Sequence, residues 1–171
     1  DVVVNANGGI TFTDSIGGGG GAPVPADFLG SVVLNAGPGA ISVVNVMTTG
    51  AQTYTGSLVN LNGSTYMATG AGSAITYNGP LSLNAPVASI LATGNGTVNF
   101  NGATIAGNGN RLVVNTGAGG SINFAPGIAV TNAAQSYTAG NYNFLGSATL
   151  SSGALLGAPI VFSGGTLNMG G

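Results

Sequence analysis

At 171 residues the chain has the length of one domain with a substantial core, yet only 2% of it is charged: Asp1, Asp14, Asp27 and Arg111. A single basic residue excludes a phosphate-neutralising surface, and with it nucleic-acid binding. The absence of Cys excludes disulfides and any thiolate metal site. Disorder is also excluded, because 44% of the residues are hydrophobic and need burial. No run approaches the roughly 20 apolar residues of a membrane-spanning helix, so no membrane span is expected. With 33 Gly and 19 Asn, the surface must be wetted by amides, hydroxyls and backbone instead of ions.

In chain order, Val2-Val3-Val4-Asn5 reads as an apolar strand closed by a polar residue, without the positive segment and apolar run of a secretory signal; any signal is expected to have been removed or to lie outside this sequence. Ile10-Thr11-Phe12 follows after a glycine bend. The segment 14–28, with Gly17 to Gly21 and Pro23-Val24-Pro25, is expected to leave the body as a Gly/Pro-rich loop, a flexible excursion or a chain crossover. Val32-Val33-Leu34-Asn35 and Ile41-Ser42-Val43 then repeat the opening pair. Ile75-Thr76-Tyr77, Val98-Asn99-Phe100, Ile122-Asn123-Phe124, Tyr142-Asn143-Phe144 and Ile160-Val161-Phe162 continue the series, with Leu112-Val113-Val114-Asn115 as a further closed run. Gly79, Gly102, Gly127, Gly146 and Gly164 arrive two or three residues after the aromatic, where glycine permits positive φ and a sharp corner.

Side chains alternate between the faces of a strand, so the first and third residues of each triplet point one way and the middle one the other. The outer two are apolar or aromatic in every copy, and the middle one is polar in all but the last. Glycine costs about 1 kcal/mol in a helix interior, and no long window free of Gly or Pro shows helical periodicity, so helix is not expected. A unit that recurs every 18 to 34 residues predicts stacked coils instead of a sandwich. The fold expected is all-β, a parallel β-helix (β-solenoid) of about seven to eight coils, forming a single domain over 1–171. Its inward aromatic and aliphatic ladder would be Phe12, Val43, Tyr77, Phe100, Phe124, Phe144 and Phe162, with a hydrogen-bonding column of Asn, Ser and Thr outside. Stacking also explains the missing charge, since a charge repeated in every coil would face its own kind within about 5 Å.

A second echo joins Gly50-Ala51-Gln52-Thr53-Tyr54-Thr55-Gly56 to Ala134-Gln135-Ser136-Tyr137-Thr138-Ala139-Gly140. After the first copy come Leu58-Val59-Asn60-Leu61, Thr65 to Gly70, and Ile75-Thr76-Tyr77-Asn78-Gly79. This order, clearest over 48–146, resembles the repeat units of filamentous-haemagglutinin-like exoproteins and related autotransporter passengers of Gram-negative bacteria. The resemblance implies a parallel β-helix, export across the outer membrane, and a role in adhesion, aggregation or display of a distal domain. Members are usually much longer, and their N-terminal secretion domain is not recognisable here, so no secretion route or receptor-binding residue carries over.

The side chains offer little chemistry. A glycosidase needs two carboxylates flanking one bond, and inside the chain only Asp14 and Asp27 are present, on either side of the glycine run; they read as solvated loop residues. Serines are plentiful, but without His, Lys or Glu none has an ordinary general base. Arg111 reads as a solubilising or edge charge, and the glycine runs lack both the carboxylates of a calcium roll and the Lys of a P-loop. No catalytic, cofactor-binding or metal residue is therefore expected. Asn62-Gly63-Ser64 and Asn95-Gly96-Thr97 are formal glycosylation sequons. Neither terminus reads as a polar cap, so the chain is expected to be a section of something longer or to associate end to end. The function expected is a structural, non-enzymatic extracellular solenoid, part of a bacterial adhesin or self-assembling fibre at a Gram-negative cell surface, contacting a host or neighbouring cell. An ice-binding β-helix and a polysaccharide-active β-helix are the alternatives.

Overall fold

Alternating apolar and polar residues punctuated by glycine and asparagine make strands that are mostly of three or four residues and turn before a helix could nucleate. The computed structural model describes residues 1–18, 27–131, 134–152 and 159–170, and no helix longer than one turn occurs among them. Of the predicted 14–28 loop, residues 19–26 lie outside the described residues; its base is a Gly18 N–H donating to the Asp27 carbonyl at 2.9 Å.

Each winding visits three walls in turn. β1 (Val2–Asn5) opens the first wall and β2 (Ile10–Thr11) the second, while an isolated bridge at Ile16 opens the third. The next winding is β3 (Val32–Asn35), β4 (Ala40–Val43) and β5 (Val46–Thr48), followed by β6 (Gln52–Thr55), β7 (Leu58–Leu61) and β8 (Thr65–Ala68). Then come β9 (Ala74–Tyr77), β10 (Leu81–Leu83) and β11 (Val87–Ala92), and after them β12 (Thr97–Phe100) and β13 (Thr104–Ala106). β14 (Arg111–Phe124) runs along the third wall and through the corner onto the first wall of the following winding. β15 (Ile128–Thr131) lies on the second wall, β16 (Gln135–Phe144) again spans third and first, and β17 (Ala148–Ser151), β18 (Ile160–Ser163) and β19 (Thr166–Met169) carry the second, third and first walls onward.

Every strand pairing is parallel, and on the walls equivalent residues of successive windings lie beside each other; the register shifts only in the corner shared by β14 and β16, between Asn115 and Ser121. The chain is thus an all-β parallel solenoid. Its second wall contains seven strands separated by six windings, so there are about six turns, slightly fewer than the seven to eight expected. At about 4.8 Å per step these span roughly 29 Å. The triplets overcount because they do not mark windings one to one: those at Ile10 and Ile41 lie on the second wall, that at Ile160 on the third, and the rest on the first.

The single predicted inward column is accordingly three. On the first wall the line is Val4, Leu34, Tyr54, Tyr77, Phe100, Phe124, Phe144 and Met169. Its rings stack with centroids 5.1 Å (Tyr54 to Tyr77), 5.9 Å (Tyr77 to Phe100), 5.5 Å (Phe100 to Phe124) and 4.7 Å (Phe124 to Phe144) apart. Val43 belongs to the second wall and faces Leu61; Phe12, half-buried, follows β2 on that same wall. Phe162 belongs to the third, stacked on Tyr137 at 5.0 Å. At the last winding the lines open, leaving Leu167 56% and Met169 67% exposed.

The corner glycines have two different reasons. Gly127 sits at φ 76°, in the left-handed region expected of it. Gly79 and Gly102 do not have positive φ; a Cβ on Gly79 would strike the carbonyl oxygen of Gly56, and one on Gly102 that of Gly79, so close approach between windings demands them.

Candidate functional site

The surface built most regularly is the outer face of the first wall. Its middle line runs Val3, Val33, Thr53, Thr76, Asn99, Asn123, Asn143 and Asn168. From Asn168 downward each amide donates to the winding before it: Asn168 to Asn143, Asn143 to Asn123 and Asn123 to Asn99 at 2.7 Å, then Asn99 to the Thr76 hydroxyl at 3.0 Å. The repeat distance of the sheet matches the reach of one amide, so a single rotamer satisfies donor and acceptor together. Shorter ladders run along the corners, from Asn101 through Asn78 to Thr55 and from Asn108 through Asn84 to Asn62. These faces are neutral, hydroxyl- and amide-rich and axially periodic; chemically they can exchange hydrogen bonds with other neutral polar surfaces.

The interior holds polar groups that the triplet pattern does not announce. Gln52 occupies an inward position of β6 and its Nε2 donates to the Met67 carbonyl at 2.7 Å, the Val46 carbonyl at 3.2 Å and the Thr48 hydroxyl at 3.1 Å. Its Oε1 accepts from the Tyr54 hydroxyl at 2.8 Å. Gln135 repeats the device on the third wall, donating to the Ser151 carbonyl at 2.6 Å and accepting from the Tyr137 hydroxyl at 2.9 Å. The echo of 50–56 in 134–140 is therefore a buried clamp used on two different walls. Tyr66 and Tyr142 close corners: each hydroxyl accepts from the backbone N–H three residues earlier, Gly63 or Ala139, and donates to a carbonyl. Burial pushes the phenol pKa of Tyr54, Tyr66, Tyr77 and Tyr137 well above the ordinary value, with the neighbouring phenols adding to the effect at Tyr54 and Tyr77.

The residues tested for catalysis lie apart from both devices. Asp14 and Asp27 are exposed at the two ends of the partly described loop, and Arg111 is exposed at the start of β14 beside Val87. Among the described residues no group of three or more His, Cys, Asp or Glu side chains comes together. The sequon residues Asn62 and Asn95 are exposed at corners, with Oδ1 accepting from Asn84 and from the Gly119 N–H respectively. The Gln clamps were missed from sequence as functional parts of the core; their signal was there, in the glutamine and tyrosine two residues apart that both copies share. Compared with protein-family models, with curated proteins and with solved structures, the chain matches none.

Proposed function

We propose that the chain is a structural, non-catalytic section of an extracellular β-solenoid, part of a bacterial surface adhesin or a self-assembling fibre at a Gram-negative cell surface. One observation carries this reading: the inward lines stack in register through successive windings, and from Thr76 to Asn168 the outward line is joined by an amide hydrogen bond at every step, so the rod presents a neutral, axially periodic face. Parallel strands stacked in this way can pair with those of a second copy through the same backbone hydrogen bonds, so end-to-end self-association is part of the proposal. The neutral, periodic flank suits contact with a host or neighbouring cell more than it suits chemistry on a small substrate. The ice-binding alternative draws less support, because the outward line holds only Thr53 and Thr76 as threonines and spends its asparagine amides on one another.

Negative-stain electron microscopy of the purified chain, paired with a cell-binding assay on the labelled protein, tests the proposal. Rods or filaments that bind cells are expected. Compact isotropic particles, turnover of a polysaccharide, or thermal hysteresis would each overturn it.

A further inference from the structure

The chain contains six Asn-Gly steps, at Asn7, Asn62, Asn78, Asn95, Asn101 and Asn108. This dipeptide is prone to self-modification because glycine places no side chain in the way when its backbone nitrogen attacks the preceding amide carbon. All six asparagines are exposed, so access to water does not rank them. Hydrogen bonding does. Asn62 accepts from Asn84 at 2.8 Å while the Gly63 N–H donates to the Tyr66 hydroxyl at 2.9 Å. Asn78 donates to Thr55 and accepts from Asn101, which holds both side chains in the corner ladder. Asn95 accepts from the Gly119 N–H, and the Gly96 N–H donates to the Ala92 carbonyl. Asn108 donates to Ser82, to the Leu83 carbonyl and to Asn84.

Asn7 is different. Among the described residues neither its amide nor the Gly8 N–H has a hydrogen-bond partner, and a Cβ on Gly8 would meet nothing within 4 Å. The pair lies at the corner between β1 and β2, beside an open polar recess of about 240 Å³ lined by Asn5, Ala6, Asn7, Asn35 and Gly37. We propose that Asn7-Gly8 is a self-modification site, and that these hydrogen bonds keep the other five Asn-Gly steps intact.

The Gly8 nitrogen attacks Asn7 Cγ and loses its proton to solvent; the Cγ–Nδ2 bond breaks and ammonia leaves, closing a succinimide. Water from the recess then opens either carbonyl, giving Asp or the isomer in which the backbone runs through the side-chain carbon. No oxidant or cofactor enters. The product adds a carboxylate between Asp1 and Asp14 in the sequence, and the isomer adds a backbone atom to the corner between β1 and β2.

The test is incubation of the folded protein at mildly alkaline pH, with peptide mapping by mass spectrometry in ordinary and heavy-oxygen water. Conversion at Asn7 is expected at least about tenfold faster than at any of the other five, with the difference vanishing in urea. Gly8→Ala, whose methyl group enters open space, should slow conversion while leaving circular dichroism and the melting curve unchanged. Equal rates at all six positions of the folded chain, or an Asn7 amide that survives while Asn78 or Asn101 converts, would overturn the proposal.

Discussion

On the first wall, residues one position apart in sequence belong to two lines governed by different physics. The inward line, Tyr54, Tyr77, Phe100, Phe124 and Phe144, is buried and held by ring stacking and exclusion from water. The outward line, Thr76, Asn99, Asn123, Asn143 and Asn168, is half-buried to exposed and held by one amide bond per step. Both are set by the same inter-winding spacing, yet each layer of the inner line removes a large apolar area from water, whereas each layer of the outer line replaces hydrogen bonds that water would make anyway. The inner line should therefore set stability, and the outer line should set register and surface chemistry.

The largest way to break that division is to remove one ring. Phe124→Ala deletes the ring between Phe100 and Phe144 in a line with rigid neighbours, and about 3–5 kcal/mol of stability should be lost in urea denaturation. A comparable loss should come from alkali. The buried phenols of Tyr54, Tyr66, Tyr77 and Tyr137 stay protonated in the folded chain while those of the unfolded chain ionise near pH 10. The folded state then binds more protons, so stability is fully present below about pH 10 and falls as pH rises above it, by about 1.4 kcal/mol per tyrosine at one unit above. Denaturation midpoints followed between neutral pH and about 11 check the sign.

Next in size are the clamps. Gln52→Leu strands the Tyr54 hydroxyl and withdraws a donor from the Met67 and Val46 carbonyls, a loss of about 2–3 kcal/mol. Gln135→Leu, which gives up one carbonyl bond and one tyrosine bond, should cost less, about 1–2 kcal/mol. Equal losses would mean that the extra bonds of Gln52 contribute nothing. On the outer line Asn123→Ala cuts two ladder bonds at a site that water can reach, and about 1 kcal/mol is expected from the same denaturation assay.

These contrasts also show which parts of the architecture could be read from residues alone. Alternation in Val98-Asn99-Phe100 and Ile122-Asn123-Phe124 fixed which side chains go in and which go out, and their identity fixed the register; that much is local. What alternation cannot carry is the wall on which a strand lies. Ile41-Ser42-Val43 and Ile75-Thr76-Tyr77 have one pattern and lie on different walls, because the wall depends on how many residues the intervening corners use. The same ignorance merged three inward lines into one column and inflated the number of windings. Gln52 and Gln135 escaped for another reason: a polar residue at an inward position contradicts the pattern unless its partners are known, and those partners are carbonyls from other windings or walls.

Tyr77 gives the finest test, because the clamps explain it. Where the third position is Tyr54 or Tyr137, the residue two before is Gln52 or Gln135, which accepts from the hydroxyl. Where the residue two before is Val98 or Ile122, the third position is Phe100 or Phe124, with no hydroxyl to satisfy. β9 mixes the two solutions: Ile75 stands in register with Gln52, yet Tyr77 keeps its hydroxyl, which is buried without a hydrogen-bond partner among the described residues. An orphaned buried hydroxyl costs about 1–3 kcal/mol, while the ring itself remains well stacked between Tyr54 and Phe100. Tyr77→Phe should thus raise stability by up to about 1 kcal/mol, seen as a higher denaturation midpoint with unchanged slope. The same change in Tyr54, whose hydroxyl is used, should lower it. If both substitutions moved stability in the same direction, pairing between these alternate inward positions would not be what selects tyrosine or phenylalanine along the line.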